Sequence, residues 1–253
     1  MTEVVPRLSG TFLVTGGTGG IGRAISILFA RAGACVVVNY GRNEASAQEL
    51  KTLADREQLR IVLCRANLMV PEAFRHIEAA IEQTAVPLCG FIHCAAIGPH
   101  RPFTELTGPN LDWTLAVNVR AFFELMKVLL PRFTSGSSVV AVSSPGAMRA
   151  VPYYSAIGTS KGALESLARH LAVELAPRGI RVNILAPGAV ATGAWNVIPD
   201  GAARLAEATS RSPLGRLVTP EEVAWTAHFL CSSSASGING HTLVVDGGAS
   251  ILA

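Results

Sequence analysis

Short apolar runs rich in Val and Ile recur at Thr11–Thr15, Cys35–Asn39, Arg60–Cys64, Gly90–Cys94, Ser138–Val142, Arg181–Leu185 and Thr242–Val245. The stretches between them carry apolar residues at helical spacing. Strands apolar at nearly every position are buried on both faces, which requires helices above and below a parallel sheet. The pattern predicts an α/β fold, a doubly wound parallel sheet of about seven strands. No linker rich in Pro, Gly or Ser and no block of charge divides the chain, so residues 1–253 read as a single domain. From Gly188 to Gly215 the rhythm lapses into Ala, Gly and Pro, with a short helix expected over Gly201–Thr209. A mobile segment at about 189–215 beside a site would serve as a substrate lid.

Composition narrows the function classes. Apolar residues make up 49% of the chain and charged residues only 15%, enough for a sizeable core and some apolar surface covered by partner subunits. A net charge of +3, with no basic stretch alternating with aromatics, argues against nucleic acid and leaves anionic small molecules compatible. The five cysteines, at 35, 64, 89, 94 and 231, show no CxxC pair and mostly lie in apolar runs. They read as buried free thiols rather than a metal site or a disulfide framework. The start of the chain lacks a charged-then-apolar leader, and no apolar run approaches the ~20 residues that span a bilayer. A soluble cytoplasmic protein is expected.

The first strand runs directly into Gly16-Gly-Thr-Gly-Gly-Ile-Gly22 and then an expected helix, Arg23–Ala32. Glycines there let the backbone turn tightly and approach a pyrophosphate held at the helix N-terminus, which makes the sheet Rossmann-type. Gly16, Thr18, Gly19, Gly20 and Ile21 are the candidate contacts. The alternative is a tight strand-to-helix turn that binds nothing. After the second strand, Val38-Asn-Tyr-Gly-Arg-Asn43 lacks the carboxylate that would bind a ribose 2′-hydroxyl, and it offers Arg42 as a fork for a 2′-phosphate. This favours NADPH over NADH, although Arg42 can also be read as an ordinary exposed side chain opening the next helix.

Several motifs join this turn in order along the chain: Thr15-Gly16-x-x-x-Gly20-Ile21-Gly22, Asn118 in Leu115-Ala-Val-Asn-Val, Ser143-Ser144, Lys161, Pro187-Gly188-x-Val190-x-Thr192, and the tail Asn239–Gly248. Together they resemble the short-chain dehydrogenase/reductase family over essentially the whole chain. The resemblance implies that Asn67 and Leu68 flank the adenine and that Ala95 and Ala96 pass beneath the cofactor. It also implies that the Pro187-Gly188 segment, with Val190 and Thr192, holds the nicotinamide carboxamide. The C-terminal strand and tail imply a homotetramer, or a dimer. Three departures stand out: His93-Cys94 where the family commonly has two asparagines, Asn67 where Asp is usual, and Ile157 where the family places a tyrosine four residues before the lysine. Adjacent strand residues face opposite ways, so His93 and Cys94 read as sheet packing rather than a catalytic pair.

Tyr154, seven residues before Lys161, offers a replacement for the missing phenol. On a helix, seven residues return to within about 20° of the starting direction after a rise of roughly 10 Å, so both side chains would share one face. The Tyr-x6-Lys spacing resembles the NADPH-dependent enoyl-acyl-carrier-protein reductases of this family. The alternative is that Tyr153 and Tyr154 merely anchor the helix start. Reducing an enoyl thioester sends hydride to Cβ, and charge develops on the thioester oxygen two carbons away, which suits a donor moved one further turn away from the lysine. In this reading Tyr154 stabilises the enolate oxygen and Ile157 presents an apolar wall to the alkene. Lys161 binds the nicotinamide ribose and adds positive potential. Ser144 either adds a hydrogen bond to substrate or is satisfied by backbone. The resemblance gives Asn118 the role of holding a water or shaping backbone near Lys161. Two other functions stay open: reduction of a ketone or 3-oxoacyl thioester with Tyr153 or Tyr154 as donor, and NADPH binding without turnover. The acyl group would ride on carrier protein or coenzyme A, and the lid carries no readable specificity code.

Overall fold

The computed structural model describes residues 6–193, 195 and 200–252. The strands are β1 Thr11–Thr15, β2 Cys35–Tyr40, β3 Ile61–Arg65, β4 Leu88–His93, β5 Phe133–Val142, β6 Arg181–Pro187 and β7 Thr242–Val245. They form one sheet in the order β3-β2-β1-β4-β5-β6-β7, with every neighbouring pair parallel. Side chains alternate between two cores, as the strand period requires. Phe12, Val14, Val36 and Val38 pack beneath α1 (Gly20–Arg31), α2 (Glu44–Glu57) and α8 (Pro220–Cys231). Leu13, Val37 and Phe91 pack on the other face beneath α3 (Glu72–Glu82), α5 (Ala121–Leu129) and α6 (Ser155–Leu175). Helix α4 (Gly108–Leu115) runs into α5 through a π turn, Ala116–Arg120, and α7 spans Gly201–Ser210.

Strand order changes direction between β1 and β4, where Thr15 and His93 stand side by side at the carboxyl ends. Open α/β sheets bind ligands in the crevice at such a switch point. The Gly-rich turn, residues 94–102 and the start of α6 all gather above this point.

The single sheet and its seven strands follow the hydrophobic pattern, with differences at strand ends. β5 begins at Phe133, five residues before the apolar run, because a register shift between Leu88 and Gly90 lets Phe133 pair with Leu88. Helix α1 starts at Gly20, inside the glycine turn, rather than at Arg23. Helix α7 confirms a short helix in the 189–215 segment, of which positions 194 and 196–199 lie outside the described residues. Cys35, Cys64 and Cys231 are buried free thiols, whereas Cys89 and Cys94 are partly exposed. Among the described residues no helix is long and apolar enough to cross a membrane, and no group of three or more His, Cys, Asp or Glu could hold a metal ion.

Candidate active site

The cleft is built first from the turn after β1. Gly16 has φ +65, and a Cβ there would lie 2.9 Å from the Ala95 Cα, so only glycine lets the two loops meet. Gly19 caps α1 without a side-chain hydrogen bond, and a Cβ placed on it would meet nothing within 4 Å. An open helix N-terminus with free N–H groups is the cradle a pyrophosphate requires, so the residues fit a dinucleotide. Thr18 is buried in the turn, Ile21 packs partly into the core, and the Thr192 methyl stands 3.4 Å from where a Gly20 Cβ would be. The loop after β6 thereby reaches over the glycine turn.

At the adenosine end, Arg42 is exposed and makes no ion pair among the described residues, while Asn43 caps α2 by accepting from the Ser46 N–H at 3.0 Å. Asn67 is exposed at the end of β3. Leu68, next to it, is buried in the core beside Phe74 and Ile77, which leaves only its backbone for an adenine. Val190 is likewise buried in the core and bridged to Val218, which leaves only its backbone for a cofactor. Pro187 ends β6, and Gly188 passes so close to Asp246 that a Cβ would lie 2.6 Å from the Asp246 Cβ. Ala95 is half-buried and Ala96 exposed.

The floor of the cleft holds His93. The Thr15 hydroxyl accepts the N–H groups of Cys94 and Ala95, both at 3.2 Å, so its own proton goes to His93 Nδ1 at 3.0 Å. That places the ring proton on Nε2, which faces the carbonyls of Val117 and Asn118 in the π turn without reaching hydrogen-bond geometry. Burial, then the positive charge of Lys161, pushes the imidazole down to about 3, so it is neutral at any physiological pH. Burial pushes the Cys94 thiol up to about 11. The two residues are therefore inert as an acid–base pair, and the imidazole packs against the rings of Phe91 and Phe122 at 5.9 and 5.5 Å.

Asn118 is fully buried. Its Oδ1 accepts the Ile97 N–H at 2.9 Å, and its Nδ2 donates to the Ile97 carbonyl and to Ser160 Oγ, both at 2.9 Å. Its side chain thus ties the loop after β4 to α6 beside Lys161, and does not bond the lysine itself.

Lys161 is buried and donates from Nζ to the Val142 carbonyl at 2.7 Å. Burial lowers it to about 8, opposed by the nearby Cys94 and Glu165. Ser144 lies two residues beyond β5, and its Oγ accepts the Gly146 N–H at 3.2 Å, leaving its proton free to donate elsewhere. Tyr154 corrects the helical-face expectation. Helix α6 starts at Ser155, and Tyr154 is its N-cap, with φ −119 and its carbonyl accepting the Gly158 N–H at 2.6 Å. From there its ring lies on Gly146, where a Cβ would stand 2.6 Å from Cε1, and its phenol faces Ser144. Burial raises the phenol above its ordinary 10, and Ser144 opposes the shift. Ile157 is buried against the backbone of Gly98, so it seals the site under the 94–102 loop instead of facing an open cleft.

A pH dependence follows. Lys161 is charged below about pH 8 and loses its charge above it, whereas the Tyr154 phenol stays protonated beyond 10. The basic limb of kcat/KM is therefore expected near pH 8 and set by the lysine. A profile flat to pH 10 in the free-enzyme parameter would contradict this assignment.

Sequence reasoning passed over His100, Arg204 and Glu165. His100 stacks on Tyr154 with ring centroids 5.3 Å apart, and Arg204 of α7 lies over the Tyr153 ring. Ser143 donates to the buried Glu165 at 2.7 Å, tying the end of β5 to α6. His100 had one available signal, its place just after a strand end at the switch point. A groove of about 820 Å³ opens between residues 146–154 and the first turns of α6. It touches the Tyr154 ring but neither Ser144 nor Lys161, so it is the outer side of the donor loop and not the cofactor cleft.

The family model described as Enoyl-(Acyl carrier protein) reductase matches residues 16–250. The 1-cyclohexenylcarbonyl-CoA reductase of Streptomyces collinus is 35% identical over 247 residues, covering 95% of this chain and 87% of that protein. Human dehydrogenase/reductase SDR family member 4 is 35% identical over 260 residues, covering 98% and 90%. Among solved structures, a short chain dehydrogenase from Burkholderia cenocepacia in complex with NADP superposes with a TM-score of 0.90 at 29% identity, over 98% of this chain and 100% of that one. With a family model and relatives that both span nearly its full length, the chain is an oxidoreductase of the short-chain dehydrogenase/reductase family.

Proposed function

We propose that this chain is an NADPH-dependent reductase of the C2=C3 double bond of a trans-2-enoyl thioester carried on coenzyme A or an acyl carrier protein. The observation that carries the reading is the donor's position: the Tyr154 phenol stands beside Ser144 from the N-cap of α6, while Ile157 is packed away under Gly98. The relative from Streptomyces collinus supports it, since its name specifies a substrate with the alkene conjugated to a coenzyme A thioester.

When bound, the reduced nicotinamide supplies hydride, which adds at Cβ. Negative charge then gathers on the thioester oxygen, and a proton from solvent at Cα completes the saturated thioester. The Tyr154 O–H donates to that oxygen, and the Ser144 hydroxyl adds a second bond. Lys161 would hold the ribose hydroxyls and add positive potential to the site. The turn Gly16–Gly20 takes the pyrophosphate, Asn67 and the Leu68 backbone take the adenine, and the backbone around Pro187, Gly188, Val190 and Thr192 frames the carboxamide. Arg42 pairs with the 2′-phosphate. Replacing Arg42 by Ala is expected to raise KM for NADPH by about tenfold and to leave KM for NADH nearly unchanged. Equal effects on both cofactors would remove Arg42 from the phosphate site.

Exposed Val244, Ile251 and Leu252 near the C-terminus supply an apolar surface for a homotetramer, which light scattering tests. The test of function is NADPH oxidation with a trans-2-enoyl thioester and, in parallel, the matching 3-oxoacyl thioester. Enoyl-dependent oxidation is expected. Turnover of the oxo substrate alone would make the enzyme a ketone reductase, and tight NADPH binding without turnover of either would make it a binding protein.

A further inference from the structure

The segment entering α6 holds a strained residue directly before the donor. Tyr153 has φ +62, a left-handed conformation that bulky side chains avoid because Cβ crowds the following carbonyl. Such a residue persists only where its surroundings hold it. The Tyr153 ring is half-exposed, and the contact on it comes from the 189–215 segment: the Arg204 guanidinium carbon lies 4.8 Å from the ring centroid. Helix α7, which carries Arg204, itself starts from a left-handed residue, Asp200 at φ +56, whose carbonyl accepts the Arg204 N–H at 3.0 Å. A cation over a half-exposed aromatic ring offsets part of the strain of one left-handed residue, so the contact favours this backbone at Tyr153.

What hangs on that backbone is Tyr154. Rotation at Tyr153 would swing the next peptide, and with it a ring wedged against Gly146 with its phenol toward Ser144. Arg204 also bears on the other flank of the donor. Burial, then the charge of Arg204, pushes the imidazole of His100, whose ring lies 5.3 Å from that of Tyr154, below its ordinary value.

We propose that Arg204 is a positioning residue for the donor: by stacking over Tyr153 it holds that residue left-handed and fixes Tyr154 between Gly146 and Ser144, so that the placement of α7 over the site sets the phenol. This rests on the reading of Tyr154 as the donor. Arg204→Leu is expected to lower kcat by about tenfold, as small misplacements of catalytic groups do, with KM for NADPH unchanged. It is also expected to speed amide hydrogen exchange over residues 151–157. In a Tyr153→Gly background the left-handed backbone carries no strain, so adding Arg204→Leu should change kcat by less than about twofold and leave exchange unaltered. Tyr153→Asn, which also tolerates this conformation, repeats the test if the glycine variant folds poorly. The same loss in both backgrounds would mean that Arg204 acts on the substrate directly. No change in the parent chain would mean that it positions nothing, and either result overturns the proposal. Kinetics are read on whichever thioester the enzyme reduces. The exchange measurement needs no turnover, so a failed enoyl assignment remains distinguishable from a failed Arg204 assignment.

Discussion

Tyr154→Phe is expected to lower kcat on an enoyl thioester by two to three orders of magnitude, roughly the effect of removing one preorganised donor from a developing oxyanion. The substitution keeps the ring that packs on Gly146 and against His100, so the fold and the N-cap of α6 should be preserved. Residual activity should come from Ser144, whose proton is not taken by its bond with Gly146. Because the phenol faces Ser144 rather than the glycine turn, the NADPH Kd should stay within about twofold. Steady-state kinetics with fluorescence titration of NADPH checks both. A variant retaining most of its kcat would mean that the oxygen is met by another group, with Tyr153 the nearest alternative phenol in sequence.

Lys161→Met is expected to lower kcat/KM by about 10²- to 10³-fold while raising the thermal midpoint at neutral pH. The stability half of this result comes from burial. A pKa of about 8 in place of the ordinary 10.5 means that the folded protein holds the ammonium at a cost of about 3 kcal/mol. That cost is fully present below pH 8, where both folded and unfolded chains carry the charge. It fades as pH rises from about 8 toward 10.5, where the unfolded chain alone remains charged. Methionine removes the charge at similar volume, although the Val142 carbonyl loses its 2.7 Å partner. The stabilisation of the variant over the parent should therefore shrink between pH 7 and pH 9.5 in thermal unfolding. A variant less stable at pH 7 would show that the carbonyl bond outweighs the desolvation of the ammonium.

The fold was legible because a buried parallel strand writes itself into the chain as a continuous apolar run. β1 and β7 have the limits the pattern predicts, and the other strands differ only at their ends. Those ends are decided by neighbours: Phe133 joins β5 through the register shift opposite Leu88, which no local pattern encodes. The glycine turn was legible for a related reason, since close approach of Gly16 to Ala95 excludes any side chain. Leu68 and Val190 were named for positions along the chain, and that does not say whether a side chain faces the cleft or the core. Both face the core.

By itself the sequence determined the parallel sheet, the dinucleotide-type turn and the presence of a phenol and an ammonium seven residues apart, because these depend on residue type and spacing along one segment. The tertiary structure decided the rest. Tyr154 sits at a helix cap and not on a helical face, its phenol faces Ser144, and the proton of His93 is assigned to Nε2 by a threonine 78 residues away in sequence. The depressed pKa of Lys161 and the stacking of Arg204 over Tyr153 are of the same kind. Burial, and the meeting of groups distant in sequence, exist only once the chain has packed, and the electrostatics of the site follow from them.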